Sequence, residues 1–358
     1  MNKKMFLSLF AGFFFSLTAL ILAFRNIPVK DLALYLGSIN YIWLVPTILI
    51  SLASFILRVF RWQWILKSHK KIPFANAYHP LMIGFMLNCI LPGRIGELAR
   101  PLILKKNEDI PFSTGLGSIV TERLFDMICL ITLLACMLLF IDIDSSLSVK
   151  VSQYTLSADT LKSIAIGMVE FCIVLIAGII AVSIRMFREF IASCFLKIPG
   201  MMFFISKDRQ KRFEEKAIRP LIGLMDHFAQ GLSLLQNPGK IVTCFVLSMT
   251  IWLVQALSYH IMTFACPGLS IAYTETMAVM IIICFFIALP SVPGYWGLWE
   301  AGGVFGLALF SVAAEQAAGY TLINHVVQII PVIIAGIVSA LIIGVNFKQL
   351  YRQTQDTV

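Results

Sequence analysis

Pro92-Gly93-Arg94-Ile95-Gly96 ends the short apolar run 78–91, and Pro293-Gly294-Tyr295-Trp296-Gly297 ends the short apolar run 276–290. Both pentapeptides have the pattern P-G-x-x-G, and a proline followed by a glycine stops a helix. At about 1.5 Å per residue each run extends only roughly 20 Å, whereas a bilayer core is about 30 Å thick. The sequence therefore predicts two short helices that end at a break and are too short to cross a membrane comfortably.

The composition of the chain indicates that its solvent is largely lipid. Of its 358 residues, 59% are hydrophobic and only 13% are charged. Soluble domains carry roughly 25% charged residues, so this chain has too few to cover a water-facing surface. We therefore expect an all-α, polytopic integral membrane protein with a single domain over residues 1–358.

Longer apolar runs surround the two breaks and give the predicted topology. Six runs have about the 20 residues that a membrane-spanning helix needs, and they occupy residues 5–24, 41–58, 115–140, 163–184, 241–264 and 320–345. The P-G-x-x-G pattern occupies matching positions in two halves, residues 1–140 and 163–345, and such pairs indicate an internal repeat. If both short runs form re-entrant hairpins, each half has three full spans, so the second half is inverted relative to the first. The predicted hairpin apices are Pro92, Gly93, Gly96, Pro293, Gly294 and Gly297.

The basic residues test this topology. The chain has 28 Lys and Arg against 19 Asp and Glu, a net charge of +9. The basic residues cluster at the ends of apolar runs, as the positive-inside rule requires. We therefore predict an inner-membrane protein with both termini cytoplasmic. Because the positive charge is explained by topology, no nucleic-acid binding is expected. In this assignment Arg58 and Arg61 belong to a cytoplasmic helix end. The outside holds only Arg25, Lys30, Lys150 and Lys162, whereas Arg94, Arg100 and Arg123 fall at membrane depth. The alternative, two further full spans, also places both termini inside but leaves Lys105 and Lys106 outside.

The segment 185–240 is the only long polar stretch, and it is predicted to lie on the cytoplasmic side. Its apolar residues recur at spacings of three and four, which is typical of an amphipathic helix at the membrane surface. We expect it to connect the two halves.

No cofactor or metal is predicted. The eight cysteines form no C-x-x-C pair, and no Walker, G-x-S-x-G or HExxH motif is present. Asp142-Ile143-Asp144 is a D-x-D sequence, which can hold a metal and a sugar diphosphate but is more often a helix-end cap. It leaves an intramembrane transferase as an alternative.

Charged residues follow the first break and recur in the next span. Arg94, Glu97 and Arg100 are spaced to share one helix face, and Glu122, Arg123 and Asp126 follow. Ionisable groups at this depth cost about 2.5–3.5 kcal/mol each, so they pair or line a wet cavity. Arginines suit a phosphate because the guanidinium donates two parallel hydrogen bonds. The alternative is an internal salt bridge of Glu97 with Arg94 or Arg123 that stabilises the hairpin.

The second break carries three aromatic residues and a glutamate, Tyr295, Trp296, Trp299 and Glu300. The aromatic residues are expected to line a headgroup or acyl-chain site, or else to form an interfacial belt. Glu300 is a candidate headgroup or proton-carrying residue. Polar residues in the late spans are expected to make interhelical hydrogen bonds, and these are His260, Asn324, His325 and Gln328.

Three blocks carry a resemblance to a known family: residues 91–101 (LPGRIGELARP), 121–126 (TERLFD) and 293–300 (PGYWGLWE). They resemble the signature blocks of the lysylphosphatidylglycerol synthase transmembrane, or flippase-like, family, the membrane region of multiple-peptide-resistance-factor proteins. Tyr295-Trp296 departs from the Gly-Gly that the family commonly shows. The resemblance implies movement of a lipid between leaflets. Because Val358 closely follows the last span, it also implies translocation without the soluble synthase domain.

The leading hypothesis is therefore a lipid translocase rather than an enzyme. A phospholipid or lipid-linked glycan would be its substrate, and a separate synthase or glycosyltransferase a possible partner. A non-catalytic scaffold for an envelope enzyme is the third alternative.

Overall fold

The computed structural model describes four main stretches of the chain, residues 3–25, 27–91, 94–140 and 237–345 without 290–291. It also describes parts of the connection between them, namely residues 148–151, 154–157, 166–167, 170, 173–174, 177–178, 184–201, 213–220 and 222–223. The described residues are helical apart from turns and one short antiparallel β-hairpin.

The described residues between 3 and 140 form six helices. A 3-10 turn at Tyr41–Trp43 leads directly into the third of them. The helices are α1 (Lys3–Phe24), α2 (Val29–Ser38), α3 (Leu44–Leu66), α4 (Phe74–Ile90), α5 (Ile95–Glu108) and α6 (Phe112–Phe140).

The β-hairpin and the other described helices follow. The strands β1 (Ser148–Val151) and β2 (Tyr154–Ser157) pair in antiparallel register, which the sequence did not predict. A π-helical turn at Glu214–Ile218 and a 3-10 turn at Pro293–Tyr295 lie between helices. The helices are α7 (Arg185–Met201), α8 (Pro238–Thr263), α9 (Tyr273–Phe286), α10 (Leu298–Ala308) and α11 (Ala314–Ile342).

Three helical segments among the described residues are long and apolar enough to cross a bilayer. They are Tyr41–Leu66 and Pro238–Thr263, with 26 residues each, and Ala314–Ile342, with 29. The predicted class, an all-helical membrane protein, is confirmed. Of the other predicted spans, 5–24 lies in α1 and 115–140 in α6, whereas most of 163–184 lies outside the described residues. The count of six spans stays a prediction.

The helices beside the two breaks are short, as predicted. α4 and α9 have 17 and 14 residues, and α5 and α10 have 14 and 11. At about 1.5 Å per residue none reaches the thickness of a bilayer core. α4 packs on α5 and α9 on α10, and each second helix packs on the long helix that follows, while α3 packs on α8. The described helices α3 to α6 and α8 to α11 therefore follow the same order, with the same neighbours in contact within each set.

Both breaks contain left-handed backbone. Arg94 has φ 54°, and in the second break Gly294, Tyr295 and Gly297 have φ of 73°, 62° and 88°. Glycine adopts this region without a Cβ clash, and at Gly297 it also admits the backbone of Ser16 on α1. Of the predicted apex residues, Pro92 and Gly93 lie outside the described residues.

The α4–α5 hairpin depends on a close glycine contact. An added Cβ on Gly96 would collide with the carbonyl oxygen of Gly84 and lie 2.6 Å from Asn88 Oδ1. Two helices approach this closely only where small residues face each other. Gly96 is therefore explained by the packing of the hairpin as well as by its place beside the break.

We expect Gly96→Ala to force α4 and α5 apart and to lower the stability of the purified protein by about 1–3 kcal/mol, the usual cost of overpacking. The midpoint of thermal unfolding in detergent micelles measures the effect. The control is Gly37→Ala in α2, where an added Cβ meets no atom within 4 Å. Equal midpoints for the two variants would contradict the proposed contact.

Candidate functional site

A group of charged side chains is enclosed where α3, α5, α6 and α8 meet. We call it the charged cluster, and it consists of Arg58, Arg61, Glu97, Arg100, Glu122, Arg123 and Asp126. Most of these side chains are nearly inaccessible to solvent, and the surrounding helices are apolar. Charges in such a place are tolerated only when they are paired.

Arg61 is the centre of the cluster. Its guanidinium is 0% exposed and forms two hydrogen bonds to the Asp126 carboxylate, at 2.6 and 3.3 Å. Nη2 also lies 3.5 Å from Glu122 Oε1, and Nη1 donates to Ser248 Oγ on α8 at 2.8 Å. Trp252, also on α8, donates to Asp126 at 3.2 Å. Arg61 therefore joins α3, α6 and α8.

Arg100 approaches the same carboxylates from α5. Its Nη2 lies 2.7 Å from Glu122 Oε2, although the two groups are too poorly aligned to count as a hydrogen bond. The guanidinium also lies over the Trp62 ring, 4.2 Å from the centroid. Trp62 is held in turn by a 2.9 Å hydrogen bond to Ser118. Arg100 is 2% exposed and is therefore part of the interior of the cluster.

Arg123 and Glu97 form the accessible edge of the cluster. Arg123 Nε lies 3.9 Å from Glu97 Oε1, and Nη2 lies 3.5 Å from Asp126 Oδ2. The two side chains are 32% and 26% exposed. The salt bridge between Glu97 and Arg123, expected from the sequence as the alternative to a phosphate site, is thus present.

Arg94 connects the first break with the region of the second break. It is exposed, and its Nη2 donates to the carbonyl oxygen of Ile287, which follows the end of α9, at 3.1 Å. The Pro293–Tyr295 turn packs against α4, and a Cβ on Gly294 would lie 3.3 Å from the carbonyl oxygen of Cys89. The two breaks therefore lie together. Glu97, at the accessible edge of the charged cluster, follows Arg94 by three residues, in the first turn of α5.

A second buried network stabilises the second break. Glu300 is 0% exposed; its Oε2 accepts from Gly297 N at 2.6 Å, and its Oε1 contacts His325 Nδ1 on α11. His325 Nε2 lies 2.8 Å from the carbonyl oxygen of Gly294. Both neighbours of the imidazole are acceptors, so an imidazolium with a carboxylate, or a neutral imidazole with a carboxylic acid, satisfies both contacts.

The aromatic residues of the second break enclose His325. The ring centroids of Trp296 and Trp299 lie 4.4 and 4.5 Å from that of His325, and Trp299 is stacked on it at an interplanar angle of 4°. Trp296 is 42% exposed and Trp299 only 7%. Trp299 is therefore part of the protein interior, whereas Trp296 keeps a free face.

A family model described as the lysylphosphatidylglycerol synthase TM region matches residues 9–336. The chain belongs to this family. It is also 25% identical over 371 residues to a protein of Haloferax volcanii named glycosyltransferase AglD, and the match covers 97% of this chain. The chain spans only 56% of the length of that relative. No solved structure matches the chain.

The structure of this family member brings most of the predicted residues together. Glu97, Arg100, Glu122, Arg123 and Asp126 share one cluster, and Arg94 lies at its approach. Glu300 belongs to the separate network around His325. Nothing in the sequence paired Glu300 with His325. Asp142 and Asp144 lie outside the described residues.

Two arginines that the positive-inside rule placed on the cytoplasmic side are enclosed within the protein. Arg58 and Arg61 are 7% and 0% exposed inside the cluster. A basic residue near the end of an apolar run has the same local sequence whether it extends to water or pairs inside the protein. The available signal was complementary spacing, since Arg58 and Arg61 are three residues apart and Glu122 and Asp126 four.

The predicted interhelical hydrogen bonds are confirmed for His325, which contacts Glu300 on α10, and for two further polar residues. Gln328 Oε1 on α11 accepts from Ser51 on α3 at 2.6 Å and from Gln255 on α8 at 2.9 Å. His260 Nδ1 on α8 lies 3.2 Å from Thr276 Oγ1 on α9. These bonds fix the helices that surround the charged cluster.

Arg61→Met is expected to destabilise the protein by about 3–5 kcal/mol, because it leaves the carboxylates of Asp126 and Glu122 buried with too few partners. Thermal unfolding in detergent micelles measures the loss. The control is Arg185→Met, since Arg185 forms an exposed pair with Glu189 in α7 and such pairs contribute about 0–1 kcal/mol. An Arg61→Met protein as stable as this control would disprove the central role of Arg61.

His325→Ala is expected to lower the stability by about 2–4 kcal/mol, because it leaves Glu300 and the Gly294 carbonyl without their partner and opens a cavity between two tryptophans. His69→Ala serves as the control, since His69 is exposed. Unfolding midpoints and tryptophan emission spectra report the change. Spectra and midpoints identical to those of wild type would show that the imidazole does not stabilise the second break.

Proposed function

We propose that this protein is a lipid translocase that carries a phosphate-bearing polar headgroup between the two leaflets. The observation that supports it best is the charged cluster inside apolar helices, with Arg94 at the junction of the two breaks. Membership of a membrane-region family is consistent with a role in lipid or glycan chemistry at the membrane. A polar headgroup needs a polar route across the bilayer, and re-entrant hairpins would supply polar groups for it at their breaks.

The charge balance favours an anionic headgroup. The cluster and Arg94 together contain five arginines against three carboxylates, an excess of two positive charges. Arg94 and Arg123 have accessible guanidinium groups and make the first contact with the phosphate. Arg100 was predicted to bind the phosphate directly; it is 2% exposed and already faces Glu122 at 2.7 Å, so in this proposal it supports the site from behind. Glu97 competes with the phosphate for Arg123. It pairs with Arg123 again when the headgroup leaves.

The proposed route uses the symmetry of the chain. Each half would contribute three full spans and one re-entrant hairpin, with the second half inverted in an inner membrane and both termini cytoplasmic. The shared order of helices and the contact between the breaks support this arrangement. The acyl chains stay in the bilayer while the headgroup passes the junction of the hairpins.

The substrate class is a phospholipid or a lipid-linked sugar. The relative named a glycosyltransferase favours the lipid-linked sugar, and a separate glycosyltransferase or synthase would then be the partner. The same name supports a second candidate function, an intramembrane transferase with Asp142 and Asp144 as metal ligands. Metal-dependent product formation that is lost in Asp142→Asn would favour this candidate over transport.

The test of transport is Arg94→Asn in proteoliposomes. Asparagine is chosen because it tolerates the left-handed backbone of residue 94, so the loss is confined to the guanidinium. Loss of a charge-assisted contact of about 1.5–3 kcal/mol corresponds to translocation about tenfold to a hundredfold slower. Dithionite quenching of labelled phosphatidylglycerol, and of a labelled polyprenyl-phosphate sugar in a parallel arm, measures the rate.

Arg219→Ala is the matched control, because Arg219 is exposed and pairs only with Glu214 among the described residues. It is expected to translocate lipid at the wild-type rate. If wild-type protein moves neither lipid faster than empty liposomes do, the translocase is refuted. If Arg94→Asn transports as fast as the control, the role of Arg94 is refuted.

A further inference from the structure

Arg58 differs from the other arginines of the charged cluster. It lies on α3 and is 7% exposed, and among the described residues it forms no ion pair and no hydrogen bond. By contrast Arg61, Arg100 and Arg123 each lie within 4.0 Å of a carboxylate. Arg58 therefore carries a buried positive charge with no carboxylate within 4.0 Å among the described residues.

Aromatic rings surround the Arg58 guanidinium. Its Cζ lies 5.7 Å from the ring centroids of Phe55 and Phe85 and 5.3 Å from that of Trp252. Cation–π contacts offset part of the cost of burial. They do not replace the hydrogen bonds of the five N–H donors, and Nε is enclosed without an acceptor. The Arg58 guanidinium is thus surrounded by aromatic rings, and no anionic group lies within 4.0 Å of it among the described residues.

The position of Arg58 connects it with the cluster. Arg61 follows three residues later on the same helix, and Trp252 contacts both the Arg58 guanidinium and Asp126. Asp126 is nevertheless fully used, since it accepts from Arg61 and Trp252 and faces Arg123. No carboxylate of the cluster is left over for Arg58, so four arginines face three carboxylates there.

We propose that Arg58 is an anion-binding residue that receives the phosphate of a lipid headgroup. One phosphodiester supplies the single negative charge that the cluster lacks, and its oxygens fit the planar donors of a guanidinium. The aromatic walls suit the apolar glycerol-ester region next to the phosphate. This inference rests on the proposed function for the lipid source of the phosphate. It adds an inner binding position to the outer one at Arg94 and Arg123.

The test compares thermal unfolding of wild type and Arg58→Met in lipid-depleted detergent micelles. Methionine has nearly the length of arginine and no charge, so in the absence of an anion the variant is expected to melt at or above the wild-type midpoint. Arg61→Met is the matched control, with the same substitution one turn further along α3. It is expected to melt lower in every medium, because Arg61 has its anions within the protein.

Three additions then identify the ligand. Dioleoylphosphatidylglycerol is expected to raise the midpoint of wild type and to leave that of Arg58→Met almost unchanged. Its binding to Arg58→Met, measured by native mass spectrometry, should be about tenfold to a hundredfold weaker. Dioleoylglycerol has the same acyl chains without phosphate and should raise neither midpoint. A rise with inorganic phosphate but none with phosphatidylglycerol would overturn the lipid assignment.

Two further results would overturn the role of Arg58. One is an Arg58→Met protein that fails to fold or melts well below wild type without lipid, because the guanidinium would then have its partners within the protein. The other is an equal lipid-induced rise in both proteins. Arg58→Lys separates charge from geometry, and it should bind phosphatidylglycerol more weakly than wild type and more strongly than Arg58→Met.

This result can be distinguished from failure of the translocase. If phosphatidylglycerol stabilises the wild type through Arg58 and liposomes show no transport, the binding position stands and the translocase falls. If transport occurs and Arg58→Met changes neither stabilisation nor rate, the translocase stands and the binding position falls.

Discussion

The pairing of Arg61 with Asp126 and Glu122 is the interaction on which the rest of the structure depends. A charge buried among apolar helices is unstable alone, so its partners determine how α3 and α6 must be placed. The hydrogen bond from Arg61 to Ser248 adds α8 to the same arrangement. Arg100 then attaches the first hairpin to Glu122. Lipid is as apolar as the helix surfaces, so the hydrophobic effect does little to fix how membrane helices align against each other. These polar contacts fix the alignment.

The two breaks are stabilised by different chemistry. The first depends on a close glycine contact between α4 and α5 and leaves Arg94 exposed. The second is held by buried hydrogen bonds, in which His325 connects Glu300 with the Gly294 carbonyl between two tryptophans. In the proposed translocase, the hydrogen-bonded second break would face an accessible arginine that binds and releases the headgroup. The interior of the cluster would position the arginines, and its accessible edge would meet the lipid.

The sequence predicted more of this site than of its surroundings. Residues of the blocks 91–101 and 121–126 were expected to meet, and Glu97, Arg100, Glu122, Arg123 and Asp126 do so. The family resemblance drawn from these blocks is confirmed by the match over residues 9–336. The burial of Arg58 and Arg61 was not predicted, because hydropathy and the positive-inside rule describe where a residue falls along a helix and not which way it faces. Glu300 and His325 are 25 residues apart, and no local pattern pairs them.

The sequence by itself determined the membrane class, the two short helices and the position of their breaks. These properties are local, since apolar composition selects lipid as the solvent and Pro-Gly stops a helix wherever it occurs. Only the tertiary structure decided which arginine pairs with a carboxylate and which, like Arg58, has none among the described residues. That outcome depends on the packing of α3, α6 and α8, and ion pairing in an apolar interior is a property of distances between helices.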